Sequence, residues 1–491
     1  MASANFSIGV SGLVSPNAIK QVTTGSYLDL ASSAGQGWAQ QYLPELYEAE
    51  IERYGDRSIG SFLRMVGAEM PMQSDQVVWS EQGRLHIAYK ATINTGTGVI
   101  TAGSFKDIDN QSGSSIAHIL REGQNVLAQV TTGSDVVVLP CQVVGAPSNL
   151  TAGSGTATLK PYEYENLDDH ASIATASTAV IKLFVTGSDF GKGSGAMNNA
   201  VQPEFKSFSN SPIIIKDKYE VSGSDVSQIG WVEISGEDGQ NGYLWYLKAA
   251  GDTKKRFEDY LEMSVIEGVS KSTSGSVSAA TGNGTEGLFQ AIEDRGLVSD
   301  AGMFDGAADD LADFDILLKE LDKQGAIEEN MLFLDRSANL AFDNMLAGAN
   351  NYHSNGTNYG VFNNSEDMAL NLGFNGFRRG SYDFYKTDWK YLNSKSSRGL
   401  INEGATVGKV EGVLVPAGTS TVYDQGLGKN INRPFLHVRY RASEADDRKM
   451  KSWITGSVGA ATSGVDVMEV HYLSERCLVV QAANNFIRFD S

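Results

Sequence analysis

The spacing of apolar residues changes along the chain and divides it into segments of different predicted structure. Residues 1 to about 38 have no sustained period, so we expect an arm whose order depends on a partner. A helical period in the next segment predicts a helix over residues 41–54, whose apolar face carries Leu43, Tyr47, Ile51 and Tyr54. Extended patterns at 77–79 and 85–89 then flank residues 81–84, which predicts a hairpin or the base of a long β excursion.

Short β-branched runs between Gly and Ser turns set residues of about 95–190 apart from their surroundings. Such closely spaced strands are typical of a small barrel or sandwich, so we expect an inserted β domain here. The Gly- and Ser-rich segment 186–200 would close this domain as a linker. The predicted strands are 125–130, 136–144, 156–162 and 180–185.

The strongest helical pattern follows the inserted block. Residues 243–267 contain no Pro, and apolar positions recur at helical spacing from Phe257 to Val265, with Gly268 as the C-cap. An α/β element comes next: a helix over about 311–321 that stops at Gly325, a buried strand at 331–334, and a helix capped by Asp335 that ends at Gly348. The last residues return to strands at 409–415, 434–440, 465–472 and 477–482.

Composition narrows the class of protein. The chain has 491 residues, with 39 Lys and Arg against 59 Asp and Glu, so its formal net charge is −20. This balance argues against a surface that binds nucleic acid or anionic membrane throughout. The 53 Gly against 10 Pro indicate many turns and bulges, hence a loop-rich fold with much β structure.

The cysteines and the hydropathy predict the compartment. Cys141 and Cys477 both lie in apolar runs, so we expect two buried thiols rather than a disulfide framework. No secretory signal or membrane-spanning run is visible. We therefore expect a soluble protein made in the cytoplasm.

Candidate catalytic motifs are weak. Residues 282–287 match G-x-G-x-x-G but lack the preceding strand of a dinucleotide site, and 187–193 lack the Ser or Thr of a phosphate-binding loop. The histidines do not have the spacing of metal ligands. We expect residues 168–170 to form a solvated turn, and His471 to lie in a sheet with a local hydrogen bond. We predict no catalytic residue, cofactor or metal, although a glycosidase carboxylate pair stays open.

Aromatic clusters suggest a protein that assembles with others, although core packing explains them equally well. One lies at the start of the long helix and another falls in a region with little helical period. Aromatic side chains are enriched at protein–protein contacts. The residues concerned are Tyr243, Trp245, Tyr246, Tyr382, Phe384, Tyr385, Trp389 and Tyr391.

The order of elements resembles the major capsid proteins of tailed bacteriophages, and the resemblance is closest to capsid proteins of crAss-like phages. It covers nearly the whole chain and includes four distributed strings: 57–63 (RSIGSFL), 210–219 (NSPIIIKDKY), 228–231 (QIGW) and 256–263 (RFEDYLEM). The resemblance implies an α+β fold of the Hong Kong 97 type. Such a fold has an N-arm, an extended E-loop, a P-domain with a long spine helix, and an A-domain.

The resemblance also implies a division of the chain, in which a small all-β domain is inserted in the E-loop. The expected segments are 1–57 for the N-terminal arm and helix, 58–94 for the P-domain strand and E-loop root, 95–190 for the inserted barrel-like domain, 191–279 for the E-loop return and spine helix, 280–430 for the A-domain, and 431–491 for the closing strands.

The implied function is structural rather than enzymatic. Subunits would assemble as hexamers and pentamers into an icosahedral head shell around double-stranded DNA. The implied partners are portal, scaffolding and auxiliary or decoration proteins, and packaged DNA held non-specifically on the inner face, with no membrane. The protein would be made in the host cytoplasm and reside in the virion. Another virion assembly protein, such as a tail tube, tail sheath or head decoration protein, is the first alternative, and a polysaccharide-active enzyme the second.

Three residues would then be intersubunit contacts at the root of the E-loop: Trp79, Arg84 and Tyr89. Arg84 lies in a predicted tip, where a long cationic side chain is buried only if a neighbour covers it. A solvated turn explains such an arginine as well.

Overall fold

The computed structural model describes residues 68–83, 85–108, 113–132, 135–148, 152–173, 177–195, 197, 205–226, 234–235, 241–242, 245–270, 284–299, 310–325, 327–351, 376–404, 408–424, 429–457 and 463–490. The predicted arm and the helix over 41–54 lie outside these residues. Among those described, the fold is a mixed α+β fold in which strands predominate.

The described strands of the first half are β1 Ala68–Met72, β2 Val77–Gln82, β3 Ala88–Asn94, β4 Gln124–Thr132, β5 Asp135–Val143, β6 Leu159–Pro161, β7 Thr178–Ser188, β8 Phe205–Asn210, β9 Ile213–Ser222, β10 Ile234–Ser235 and β11 Asn241–Gly242. Those of the second half are β12 Leu297–Ser299, β13 Glu329–Leu334, β14 Gly376–Arg379, β15 Tyr382–Asp388, β16 Val410–Pro416, β17 Thr419–Asp424, β18 Lys429–Pro434, β19 Leu436–Arg441, β20 Lys451–Gly456, β21 Val467–Val480 and β22 Ile487–Asp490. The described helices are α1 Gly223–Val226, α2 Trp245–Ile266, α3 Leu288–Arg295, α4 Asp310–Gln324, α5 Arg336–Asn351, α6 Lys390–Asn393 and α7 Arg398–Asn402.

The chain forms two compact units. Unit 1 comprises Met1–Trp79 and Ser209–Ser491, and unit 2 comprises Ser80–Phe208. The chain passes from unit 1 to unit 2 within β2 and returns to unit 1 within β8. These two strands pair with each other as a two-stranded ribbon. The hairpin predicted between 77–79 and 85–89 is therefore wrong, because β2 pairs with β8 and β3 pairs with β7. Alternation identified these strands, but it carries no information about which strand is the partner.

Unit 2 is a small antiparallel sheet in the order β3-β7-β4-β5-β6. The segment around Val99 bonds to both of its edges: the N–H of Asn94 donates to the Val99 carbonyl, and the N–H of Leu159 donates to the Gly98 carbonyl. These bonds close the sheet into a barrel-like shape around a core that includes Ile93, Val126 and Ile181. Strands β4, β5 and β7 coincide with predicted strands, and the unit extends beyond the expected 95–190 at both ends.

The first sheet of unit 1 is organised around the long strand β21. Its first part lies between β9 and β20, and its last part pairs with β19, which in turn pairs with β1. Two separate strands at 465–472 and 477–482 were expected, and this prediction is wrong. The polar residues between them stay in the strand because each has a partner: Ser474 Oγ donates to the Lys449 carbonyl over 2.6 Å, and Glu475 pairs with Arg441 over 2.8 Å.

Helix α2 confirms the predicted long helix and packs on this sheet. Phe257 and Leu261 are buried against Tyr472 of β21, and the Phe257 and Tyr472 rings stack with centroids 5.8 Å apart. A charged contact adds to the apolar one, since Arg256 pairs with Asp217 of β9 over 3.0 Å. The helix therefore supports two adjacent strands of the sheet.

The second sheet of unit 1 is mixed and has the order β12-β22-β16-β13-β15-β14. Strand β13 is parallel to β15 and antiparallel to β16. As predicted, Asp335 caps α5, because its Oδ1 accepts a hydrogen bond of 2.6 Å from the N–H of Ala338. Helix α5 continues to Asn351, so the end predicted at Gly348 is wrong. A glycine ends a helix only where the tertiary contacts do not favour another turn.

One core joins the two sheets of unit 1. It contains Phe333 of β13, Val413 of β16, Leu436 of β19 and Leu478 of β21, together with the buried face of α3. The pair Tyr391 and Trp389 from the predicted aromatic cluster also lies in this core. Core packing is thus the explanation for that part of the cluster.

Candidate functional site

Trp79 lies in β2 and is fixed within unit 1. Its side chain is 7% exposed, and the guanidinium carbon of Arg295 lies 5.6 Å from the centre of its ring. Arg295 also pairs with Glu286 over 3.1 Å. Because side chains alternate along a strand, the neighbour Val78 points the other way and is 59% exposed. The indole therefore anchors β2, and Val78 is the apolar group that β2 offers to solvent.

The partner strand β8 ends at a buried polar side chain, Asn210. Its amide nitrogen donates to the Leu478 carbonyl over 2.7 Å and to the Glu286 carbonyl over 2.9 Å. Its amide oxygen accepts from the N–H of Glu286 over 2.9 Å and from the Thr285 hydroxyl over 3.1 Å. This one side chain therefore links the end of β8 to the segment before α3 and to β21.

Tyr89 lies in β3 and is buried in the core of unit 2. The N–H of Ile119 donates to its hydroxyl over 3.1 Å, and its ring meets Phe105 edge to face with centroids 5.5 Å apart. Burial raises the pKa of Tyr89, the hydrogen bond from Ile119 opposes this shift, and the negative charge of Asp107 adds to it. The phenol therefore stays neutral and acts as a core residue of its unit.

The three predicted contact residues thus fall in different places. Trp79 belongs to unit 1 and Tyr89 to unit 2, and both side chains are buried within their own units. Arg84 lies outside the described residues. The role of all three at a subunit contact stays a prediction.

Sequence reasoning selected aromatic and charged residues and missed the exposed apolar ones beside them. Val78, Leu85 and Phe205 are all well exposed. Val78 could have been found from alternation alone, since Trp79 and Val78 must face opposite sides of the ribbon. Leu85 and Phe205 have no such signal in the sequence.

The buried carboxylates of unit 1 have structural partners. Asp335 caps α5 and lies 3.6 Å from the ammonium of Lys409, which pairs with Glu411 over 2.9 Å. Burial raises the pKa of Asp335, while the Ala338 N–H and the Lys409 charge oppose the shift. Burial lowers the pKa of Lys409, but the hydrogen bonds to Glu411 and Asp335 and the negative charges of these two carboxylates together outweigh it, so the net shift is upward. This group holds the start of α5 against β16.

The cysteines are also structural. Cys141 and Cys477 are free and fully buried, as expected from their apolar surroundings. Burial raises the pKa of each thiol to about 12. A thiol with so little thiolate is a poor nucleophile and a poor metal ligand at neutral pH.

The described residues contain no group of three or more His, Cys, Asp or Glu side chains that could hold a metal ion. At the sequence 168–170, Asp169 accepts from the N–H of Asn166 over 2.8 Å in a capping interaction. His471 has the predicted local bond, since its Nε2 lies 2.7 Å from the hydroxyl oxygen of Thr455. Within the described part of the chain, no helix is long and apolar enough to span a membrane.

Comparisons with known proteins give the following results. No protein-family model matches the sequence, and no curated protein matches it. A structure of Microbacterium phage Oxtober96 is similar with a TM-score of 0.38 and 8% identity, over 94% of this chain and 98% of that chain. A structure of Gordonia phage Cozz has a TM-score of 0.38 and 10% identity, over 97% and 98%. The capsid of a native GTA particle has a TM-score of 0.37 and 8% identity, over 94% and 98%.

Proposed function

We propose that this chain is the major capsid protein of a tailed bacteriophage, with the Hong Kong 97-type coat fold and its closest relationship to crAss-like phages. The observation that carries the proposal is the order of elements. A compact β unit is inserted between the paired strands β2 and β8, a long helix braces the sheet that follows, and a mixed sheet completes the chain. This is the order that the family resemblance implies.

In this proposal each part has a place in the coat fold. Unit 2 is the E-loop with its inserted domain, and β2 and β8 form the root of that loop. Helix α2 is the spine helix of the P-domain, and the sheet that contains β13 belongs to the A-domain. Residues 1–57 are the N-arm. The closing strands β19 to β21 return to the P-domain beneath α2.

The mechanism is self-assembly. Subunits form hexamers and pentamers, and the E-loop of each reaches over a neighbour. Because the ring closes, each contact after the first is effectively intramolecular, and modest contacts add up to a stable shell. A structural role agrees with the chemistry of the described side chains, whose buried carboxylates, lysines and thiols are engaged in caps, ion pairs and packing.

The net charge of −20 suits a shell that encloses DNA without holding it tightly. Protein–DNA affinity comes largely from cations that neutralise phosphates, and an acidic wall supplies few of them. The genome could then be packed and released without a large affinity to overcome. Tight binding of empty shells to DNA at physiological salt would contradict this part of the proposal.

The experiment that tests the function is negative-stain microscopy of the purified full chain, together with sizing chromatography. Closed shells, or hexameric and pentameric rings, support the coat protein. Tubes would indicate a tail tube or sheath protein instead. A stable monomer of 52.7 kDa that also fails to assemble with a phage scaffolding protein would contradict the proposal and favour a decoration protein or an enzyme.

A further inference from the structure

One face of the sheet in unit 2 is turned to solvent and has an unusual composition. The strand register places Lys182 of β7 between Lys90 of β3 and Gln129 of β4, which is followed by Val138 of β5. Side chains two residues away along each strand point to the same side of the sheet, so the row of residues before this one and the row after it face the same way. We define the outer face as the residues of these three rows: Ala88, Phe184, Leu127, Pro140; Lys90, Lys182, Gln129, Val138; and Thr92, Val180, Thr131, Val136.

The outer face exposes several large apolar side chains together. Val136 and Val138 are each 53% exposed, Phe184 is 47% exposed and Val180 is 41% exposed. The solvent side of an antiparallel sheet normally carries polar residues, and single exposed apolar residues need no explanation. Four on one small face form an apolar patch of the kind at which proteins bind partners.

Two lysines lie side by side within this apolar face. Lys90 and Lys182 are direct cross-strand partners, and like charges in that position destabilise a sheet. Neither ammonium has an ion pair or a hydrogen bond in the described part of the chain. The arrangement therefore lowers the stability of the free subunit and becomes favourable when acidic groups are placed over it.

The charge distribution identifies a second copy of the chain as a source of such groups. Residues 80–208 hold eight Lys and Arg against eleven Asp and Glu, whereas the whole chain holds 39 against 59. Nearly all of the excess negative charge is thus outside unit 2. A neighbouring subunit can therefore supply acidic groups to the lysine pair, and a closed assembly provides that neighbour at high effective concentration.

The area of the outer face is that of one contact among several in an assembly, rather than that of a complete dimer interface. Four strands and five residues span roughly 19 Å by 14 Å, or about 270 Å². A stable pairwise interface buries about 800 Å² on each partner. The outer face alone is too small for an isolated dimer, but it suffices as an added contact in a ring or shell.

We propose that the outer face of unit 2, with Lys90 and Lys182 in its middle row and Val136, Val138, Val180 and Phe184 as its exposed apolar side chains, docks onto an acidic surface of a second copy of this chain. This inference rests on the proposed function and names a contact that would stabilise the assembly. The lysines supply charge complementarity, and the apolar side chains supply the area removed from water.

The test compares assembly of the full chain in the wild type, Lys182→Glu and Val138→Ser, with Lys192→Glu as the matched control. Lys192 makes the same charge change within unit 2 but lies outside the outer face. We expect the concentration needed for assembly, measured by light scattering and microscopy, to rise about tenfold for the first two variants and to stay unchanged for the control. Thermal unfolding should show no loss for Lys182→Glu, because the substitution removes the repulsion from Lys90.

The outcomes separate this inference from the proposed function. If Lys182→Glu and Val138→Ser assemble like the wild type, docking onto a second copy is refuted while the coat function stands. If these variants assemble normally but lose the binding of a decoration protein, the occupant is that protein and the second-copy proposal is wrong. If the wild type itself never assembles, with or without scaffolding protein, the proposed function fails and this inference fails with it.

Discussion

The side-chain amide of Asn210 donates a 2.7 Å hydrogen bond to the backbone carbonyl of Leu478, which is 268 positions away in the chain. Asn210 is the last residue of β8, and Leu478 lies near the end of β21. The bond therefore ties the return strand of the ribbon to the central strand of the neighbouring sheet. Because the same side chain also holds Glu286 and Thr285, it fixes three segments of unit 1 at one buried point.

We expect Asn210→Ala to destabilise the protein strongly. The substitution leaves two carbonyl groups, the N–H groups of Ser211 and Glu286 and the Thr285 hydroxyl without their Asn210 partner. Each unsatisfied buried group costs about 1–3 kcal/mol. The free energy of unfolding, measured with urea, should fall by about 3 kcal/mol. Asn484→Ala is the control, since the Asn484 amide makes a single 3.2 Å bond to Gln324 and is only partly buried. Equal losses for the two variants would show that Asn210 has no special role.

Two glycines in or near α2 have opposite expected responses to alanine. A Cβ on Gly287 would lie 2.5 Å from the backbone nitrogen of Gly268 and 2.7 Å from the Ile266 carbonyl oxygen. Gly251, inside α2, has nothing within 4 Å of its Cβ position. We expect Gly287→Ala to lower the thermal midpoint or prevent folding. Gly251→Ala should raise stability by about 0.5–1 kcal/mol, because alanine favours a helix over glycine. A neutral Gly287→Ala would mean that the end of α2 and the start of α3 can separate freely.

The same region shows what the sequence can and cannot predict. The helical spacing of apolar residues in 243–267 predicted α2, because the buried face of a long amphipathic helix appears in the local sequence as regularly spaced apolar residues. Residues 282–287 are predicted only to form a loop, yet Gly287 is the N-cap of α3. Backbone atoms of Gly268 and Ile266 lie so close to Gly287 that only a glycine fits, and the local sequence does not show these contacts. Likewise nothing around Asn210 indicates burial, since its partners are distant in sequence. The sequence around Tyr89 likewise does not show that its ring packs against Phe105.

Trp79→Ala should act on the folding of the free subunit. The indole is buried and lies against Arg295, so its removal costs packing and a cation–π contact, about 3–5 kcal/mol together. Val78→Ser, on the exposed side of the same strand, should change subunit stability by less than about 0.5 kcal/mol. Urea unfolding of unassembled protein measures both. A stable Trp79→Ala subunit that fails only in assembly would instead assign Trp79 to the contact between subunits.

Arg84→Glu should leave the subunit folded and impair shells. This expectation follows from the sequence, which puts Arg84 in a turn between two extended segments, where a neighbour in the assembly would cover it. Circular dichroism and urea unfolding should match the wild type, and microscopy should show fewer closed particles. Arg84→Lys keeps the charge and should assemble close to normally. A normal shell yield from Arg84→Glu would remove Arg84 from the list of contacts.

Acidification should destabilise unit 2 through His118. Its imidazole is fully buried and stacks on Phe105 with ring centroids 4.3 Å apart. Burial lowers the pKa of His118, and the backbone carbonyls of Thr156 and Ser148 only partly oppose this shift. The unfolded chain therefore binds the proton more readily than the folded one, so stability should be complete above the unfolded pKa of about 6.5 and should fall as the pH drops below it.

The variant His118→Phe isolates this effect. Phenylalanine retains the ring that packs on Phe105 but cannot be protonated, so the loss of stability between about pH 6.5 and 5 should become smaller in the variant. The readout is the free energy of unfolding at several pH values, with the wild type measured in parallel. Identical pH profiles for the two proteins would show that the proton responsible for acid destabilisation binds elsewhere. A profile that flattens in His118→Phe would identify a buried neutral histidine as the acid-sensitive point of the inserted β unit.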